Sequence, residues 1–514
     1  MRLRYVASAS TKLKRPSYIA RPTSRVDMAL FFDRNRELES LDRVYADVRR
    51  RGQLALLSGR RGAGKTTLIQ RWLSARRKRA LVWTAQENGD EFQQALSFAQ
   101  ALASFLKRDP AHGAHSAAEV WEAAFGQLGE AAELQPRIVV IDQATDIMPL
   151  YSALVNGFKR AWDHRLQFRA VLVILIGDHG RRIYEHLQSY ARAPLYGRFT
   201  ALWEVDPVGW ADFSTAFRRW PLRDRLLAYA ITGGWLAFAQ LLRPEQAPRW
   251  ELMRLVRSAD YSQSAHALVD TVGPTKRPRV LAVLRALAVG PANQVLLAQR
   301  TRLSRRAVNA ALVDLETAEL VKTGDVPSEA PLPWTERVVF RLIDHQVRFA
   351  LSADPTHIAT GFASAREAPL RTVAQVDSLL ADVVSEKLLV PWLFRAPERG
   401  RLAEAVDDLG PLTAELPCDA AWAALDRRHR RILVCGIFSQ SRPLGARRVH
   451  AFAAAARTLL GLAWPGWAGR VLFASLAGFT AQARQSRPTG PRVLLSGQTL
   501  ARDLARWSRG TASP

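Results

Sequence analysis

The residues best suited to chemistry are Gly59-Arg60-Arg61-Gly62-Ala63-Gly64-Lys65-Thr66-Thr67, which fit GxxxxGK[ST]. Glycines at this spacing let the backbone turn tightly enough for several N–H groups to converge on a polyphosphate, and a helix beginning near Lys65 adds the positive end of its dipole. Lys65 would reach the β- and γ-phosphates and is expected to face solvent until a phosphate arrives. Thr66 would offer its hydroxyl to Mg²⁺. A second candidate metal ligand is Asp142, which closes the apolar run Arg137-Ile138-Val139-Val140-Ile141. Its carboxylate suits a Mg²⁺–water ligand, and the alternative is an ordinary strand ending in a turn. ATP and Mg²⁺ are therefore the expected ligands.

These residues need elements to position them. The apolar run Leu54-Ala55-Leu56-Leu57 empties directly into the glycine-rich loop, and Leu68, Ile69 and Trp72 give the following segment an apolar stripe at helical spacing. Upstream, Leu38, Leu41, Val44 and Val48 mark another helix. Ala80–Thr84 and Arg137–Asp142 read as strands, and Val171–Ile176 reads as one ending in Gly177-Asp178-His179. The runs are apolar on both faces and alternate with helices, so the class is α/β with a doubly wound parallel sheet.

With 514 residues the chain is too long for one core, and three or four domains are expected. The apolar run at Val171–Ile176 is far short of the roughly 20 residues a membrane span needs. No membrane association and a cytoplasmic location are the expectation. Cys418 and Cys435 form no CxxC, which argues against a disulfide framework or a zinc site. Residues 1–27 are basic and without sustained periodicity, as in a disordered tail; Met28 is an alternative start. The formal net charge is +26, yet only nine of the 73 basic residues are lysine. That balance supports a polyanion partner such as double-stranded DNA, while an arginine excess also follows from coding bias.

The order of motifs resembles the archaeal-type ATPases of the STAND branch of AAA-related P-loop proteins. The resemblance rests on Arg34-Asn35-Arg36-Glu37-Leu38 after Phe32, on the glycine-rich loop, on the strand ending at Asp142, on Pro194-Leu195-Tyr196-Gly197-Arg198 and on Tyr229-Ala230-Ile231-Thr232-Gly233-Gly234. It implies that Arg198 is a sensor or finger that contacts nucleotide in its own or a neighbouring subunit, a surface arginine being the alternative. It also places Asp178 where such ATPases carry a small polar γ-phosphate sensor, against simple turn capping. Two departures stand out. The family's Gly-Gly-x-Pro is here Gly233-Gly234-Trp235-Leu236, without the proline. The acid that usually follows the strand's Asp is Gln143, whose amide can orient water but cannot accept its proton, so hydrolysis is expected to be slow.

Lys276 to Gly324 reads as three short helices and a wing. Ser304 caps the third helix, whose apolar face is Ala307, Val308, Ala311, Leu312 and Leu315, leaving Arg305, Arg306 and Asn309 outward as candidate DNA contacts. A protein-interaction module is the alternative. The remainder resembles the family's C-terminal domain, related to PD-(D/E)xK nucleases. Glu415 to Asp419 is read as its first strand and Arg431–Phe438 as its second, with Gly436 and Phe438 at the positions of the metal-binding Glu and the Lys. The fold is thus expected to remain without the nuclease chemistry. The expected domains are a P-loop ATPase (28–205), a helical lid (206–272), a winged helix (273–350), a helical connector (351–390) and a degenerate nuclease-like domain (391–514). The expected function is an ATP-dependent switch with slow hydrolysis, alone or as a homo-oligomer or with a protein partner. The alternative is a DNA-binding regulator whose loop binds nucleotide without turnover.

Overall fold

The computed structural model describes residues 34–60, 62–86, 89–110, 115–148, 150–178, 194–258, 261, 277–318, 320–325, 338–352, 377–412, 416–486 and 492–509. The basic tail, Phe32, Arg61 and Lys276 lie outside them.

The first sheet is parallel throughout, with strands β1 (Gln53–Ser58), β2 (Ala80–Thr84), β3 (Arg137–Asp142), β4 (Val171–Gly177) and β5 (Ala201–Glu204) in the order β2-β3-β4-β1-β5. Every residue of β1 and β4 is buried, because helices cover both faces. Helices α1 (Asn35–Asp47) and α2 (Lys65–Leu73) pack on one face through Leu41, Leu68, Ile69 and Trp72. Helices α3 (Glu91–Leu106), α4 (Ala117–Leu134) and α5 (Ser152–His164) cover the other, around Phe98, Trp121, Phe125 and Phe158. Asp90 starts α3 by accepting the N–H groups of Phe92 and Gln93. Since all strands run one way, Ser58, Asp142 and Gly177 reach the same edge. Because β4 lies between β1 and β3, the residue after Gly177 stands between the glycine-rich loop and Asp142.

Beyond β5 come helices α6 (Trp210–Ala216), α7 (Leu222–Thr232), α8 (Leu236–Ala239) and α9 (Pro248–Val256). A smaller unit then has helices α10 (Arg277–Val289), α11 (Gln294–Thr301) and α12 (Arg305–Thr317). Its strands β6 (Ala292–Asn293), β7 (Val321–Asp325) and β8 (Val338–Leu342) form an antiparallel sheet in the order β6-β8-β7. Ser304 caps α12 as expected, its hydroxyl accepting the Ala307 N–H at 3.2 Å. Val308, Ala311, Leu312 and Leu315 are fully buried.

The chain leaves this unit through α13 (His345–Ser352); further along come α14 (Asp377–Val384), a five-residue π-helical stretch, Ser385–Leu389, and α15 (Val390–Arg395). The helix runs through 390–391, where a domain boundary was expected. Leu227 and Ile231 of α7, Phe349, Leu380, Val384, Trp392 and Leu433 belong to one core, so the helical segments and the last sheet share buried surface.

That last sheet has β9 (Asp408–Pro411), β10 (Ala420–Asp426), β11 (Arg431–Phe438), β12 (Ala468–Ser475) and β13 (Arg492–Ser496), in the order β13-β12-β11-β10-β9. β11, β12 and β13 are parallel, and the other pairings are antiparallel. Helix α16 (Ala446–Ala463) packs on one face. The strand expected to end at Asp419 instead begins at Ala420; Glu415 lies outside the described residues. Asp419 therefore sits in the turn, where its Oδ2 accepts from the Ser439 N–H and hydroxyl at 2.7 and 2.9 Å. Gly436 faces the ring of Phe452, and an added Cβ would lie 2.4 Å from its Cζ. Phe438, Phe452 and Phe473 pack around this point with no exposed surface. Gly436→Ala is expected to destabilise the protein by about 1–3 kcal/mol through overpacking, read as a lower denaturant midpoint. An unchanged midpoint would mean that Phe452 yields freely.

Candidate functional site

The glycine-rich loop joins β1 to α2 and has the conformation its composition anticipates. Gly59, Gly62 and Gly64 have φ of 145°, 86° and 91°, a region that disfavours side chains. Gly64 is the N-cap of α2 and supplies no side-chain cap, so the helix presents its first N–H groups to the loop. Thr66 Oγ1 donates to Asp142 Oδ2 at 3.0 Å, which brings the two expected metal ligands together across the β1 and β3 ends. Oxygen donors of this kind suit Mg²⁺, so the residues fit the ion the sequence implies. Gln143 adopts φ 59° and its backbone N–H donates to Asp142 Oδ1 at 3.0 Å; its side chain is exposed.

Lys65 is not solvent-facing. It is 8% exposed, and its ammonium donates to Gly59 O at 2.6 Å, Arg60 O at 3.1 Å and Asp178 Oδ1 at 2.6 Å. An ammonium has three protons, and a lysine turned back into its own loop uses all of them. The residue after β4 is thus the counterion of the loop lysine, a role different from both expectations for Asp178.

Arg60 also turns away from the loop interior. Its guanidinium pairs with Asp344, donates to Gln346 Oε1 at 3.1 Å and stacks 4.6 Å from the Trp235 ring. Trp235 Nε1 in turn donates to Asp344 Oδ2 at 2.9 Å. Burial lowers the Arg60 pKa to about 9. Asp344 and Gln346 follow β8 directly, so this cluster joins the loop to the three-helix unit.

Gly233 and Gly234, with φ of 63° and 73°, turn the chain between α7 and α8 and lay α8 on the loop. The Ala237 N–H donates to Gly62 O at 3.1 Å, and Leu236 packs so closely that a Cβ on Gly64 would fall 2.4 Å from its Cδ2. Leu236 occupies the position of the missing proline, and the contact forms without it. Arg34 reinforces the loop from α1, donating to Ala63 O and Asp206 O, each at 2.9 Å.

Below this contact, Glu386 accepts from Arg341 at 2.9 Å and lies 3.2 Å from His345 Nε2. Burial would raise its pKa, but His345 and Arg341 outweigh that and hold the carboxyl at about 2. Arg348 pairs with the buried Asp382.

Arg198 is not brought to this site. Two residues on, the Thr200 N–H donates to Leu54 O, so Arg198 stands at the entry edge of the sheet, about 15 Å or more from the loop at roughly 3.3 Å per residue of β1. It forms a fork with Asp163, Nε to Oδ1 and Nη2 to Oδ2 both at 2.7 Å, and hydrogen bonding to Arg198 lowers the Asp163 pKa. In this arrangement its guanidinium is engaged by Asp163 and lies away from the loop. Arg305, Arg306 and Asn309 are exposed on α12, with Asn309 Oδ1 accepting from Gln294 Nε2 at 3.0 Å. Arg279 pairs instead with Asp314 at 2.9 Å.

Sequence reading missed the loop's long-range partners, Asp344, Gln346 and Trp235. The pair Gly233-Gly234 was the available signal for the turn that delivers Trp235.

No curated protein matches the chain. Among solved structures, it resembles a Walker-type ATPase of Pyrococcus abyssi at 19% identity and TM-score 0.49, over 65% of this chain and 99% of that one. It also resembles a signal transduction ATPase with numerous domains, a STAND protein with a tetratricopeptide repeat sensor from Pyrococcus horikoshii (13%, TM-score 0.28, 72% of this chain and 51% of that one). A third is the Drosophila ORC bound to DNA (15%, TM-score 0.30, 66% and 97%). Residues 30–216 match the family model of the AAA ATPase domain, and the chain accordingly carries an AAA-type ATPase domain built on a P-loop NTPase fold.

Proposed function

We propose that the protein is a STAND-type, ATP-dependent switch in which nucleotide binding at the glycine-rich loop sets the position of a winged-helix module. The observation that carries this reading is the Arg60–Asp344 pair, which ties a phosphate-loop residue to the segment leaving β8. Lys65 and the first N–H groups of α2 hold the phosphates of ATP. Thr66 and Asp142 would hold Mg²⁺, which would supply positive charge beside the phosphates. Arg61, Ala63 and Thr67 complete the loop sequence. A polyphosphate arriving there competes with Asp344 for the Arg60 guanidinium and with Asp178 for the Lys65 ammonium, and it meets Leu236 over Gly64. Binding therefore loosens the hold that α8 and α13 have on the loop. Turnover is slow because Gln143 cannot accept a proton.

The three helices and the β6-β8-β7 sheet support the winged-helix reading. Exposed Arg305 and Arg306 at the start of its third helix, in a chain of net charge +26, favour duplex DNA over a protein partner. The C-terminal sheet is read as a nuclease-like fold without nuclease chemistry. Phe452 fills the space a Glu at 436 needs, and Phe438 is buried where an ammonium is required.

Lys65→Ala should abolish ATP binding by calorimetry; unchanged affinity in a folded variant would sink the phosphate-loop assignment. Saturating ATP should change the protease-cleavage pattern of the wild type, and Asp344→Asn should show the ATP-type pattern without nucleotide. A pattern indifferent to ATP in the wild type removes the switch. Neutralising Arg305 and Arg306 together should weaken duplex binding and flatten its salt dependence, by roughly 0.9 log units of slope for each phosphate that is no longer neutralised. An unchanged slope, or no duplex binding at low salt with or without ATP, makes the module a protein-binding one.

A further inference from the structure

The reaction lacks a proton acceptor at its usual place, and among the described residues a carboxylate, that of Asp178, is placed to replace it. At the edge where β1, β3 and β4 end, Asp142 is engaged by the Thr66 hydroxyl and the Gln143 N–H, as a metal ligand would be. Asp178 stands at the end of β4, between that pair and the loop, 2.6 Å from Lys65 Nζ and with its side chain 30% exposed. Water can reach it. Lys65 needs a charged partner beside a polyphosphate, and the phosphates, carrying more charge than one carboxylate, take the ammonium from Asp178. The Asp178 carboxylate then gives up its counterion while facing an anionic phosphoryl group.

Resting on the ATP-switch reading, we infer that Asp178 is the general base for hydrolysis, doing what Gln143 cannot, and that the same carboxylate competes with ATP for Lys65. In the step, water oxygen forms a bond to the γ-phosphorus while the bond from that phosphorus to the β,γ-bridging oxygen breaks. The electron pair leaves with ADP. The water proton goes to an Asp178 carboxylate oxygen and passes on to the departing phosphate, restoring the ionised acid that pairs with Lys65 again.

The two roles of Asp178 give opposite signs in Asp178→Asn, an isosteric change that keeps the hydrogen-bonding oxygen. ATP affinity by calorimetry should rise several-fold, because a competitor for Lys65 is removed. Single-turnover phosphate release should fall by about 10²–10⁴-fold, the usual worth of general-base help. Adding Gln143→Glu to Asp178→Asn should recover turnover, since a proton acceptor is supplied from the neighbouring strand, and Gln143→Glu alone should exceed the wild type. A merely structural Asp178 would give a double variant as slow as the single one, and that result overturns the inference. So does an Asp178→Asn protein that hydrolyses at the wild-type rate, or a wild type that binds ATP and releases no phosphate; in both cases the switch reading stands. A wild type that binds no ATP overturns the function reading and the inference together.

Discussion

A guanidinium largely removed from water stays charged and is costly there unless a fixed carboxylate accompanies it, and the arrangement of this molecule depends on that requirement at Arg60. Arg60 sits in the loop meant for phosphates, yet Asp344, Gln346 and the face of Trp235 hold it. Separating a buried pair by removing one partner typically costs about 3–5 kcal/mol, because the survivor stays uncompensated. Burial by itself lowers the Arg60 pKa, to about 9. The pair thus fixes β8 and α13 relative to the loop, and through Trp235 it fixes the turn at Gly233-Gly234 that lays α8 over Gly64. A ligand carrying several negative charges is the kind of molecule that can offer both Arg60 and Lys65 an alternative.

The same logic extends outward from the loop through α13. His345 and Arg348 point from it to Glu386 and Asp382, carboxylates on the connecting helices, and Lys387 lies 5.5 Å from the Tyr229 ring of α7. Each contact joins two segments that are distant in sequence. Their apolar surfaces merge in one core with Trp392 and Leu433, so α13 shares buried surface with the last sheet as well as with α7. Buried polar pairs set within a continuous apolar core have few alternative arrangements, which favours movement between discrete states over gradual deformation.

What was legible in the sequence follows from the range of the forces involved. β1, β3 and β4 were readable because central parallel strands are apolar on both faces, and the loop because phosphate binding demands glycines at fixed positions. The cap at Ser304 and the stripe of α12 are local and were readable, apart from Ala307, which is only half-buried. β5 escaped because Ala-Leu-Trp-Glu is four residues long and alternates in exposure on an edge strand. The burial of Lys65 could not be read, since its partner Asp178 is 113 positions away, and Gln346 is 286 from Arg60. Arg198 misled for a related reason: its motif suggested a nucleotide contact, while chain direction in a parallel sheet sends the entry of β5 to the opposite edge.

The two departures from the resembled family also have a common physical reading. At Leu236 the chain gives up a proline, whose fixed φ pre-sets a turn, while the two glycines remain and a buried indole hydrogen bond from Trp235 to Asp344 holds the turn. The turn then depends on Asp344 being in place, where a proline would have held it independently. At Gln143 it gives up a permanently placed base, and the carboxylate that remains nearby is occupied by Lys65 until phosphates displace it. In both places a fixed local feature is exchanged for one conditional on a partner elsewhere in the fold. A molecule built this way ties the geometry of its nucleotide site to the position of its other modules, which suits a switch better than an enzyme selected for rapid turnover.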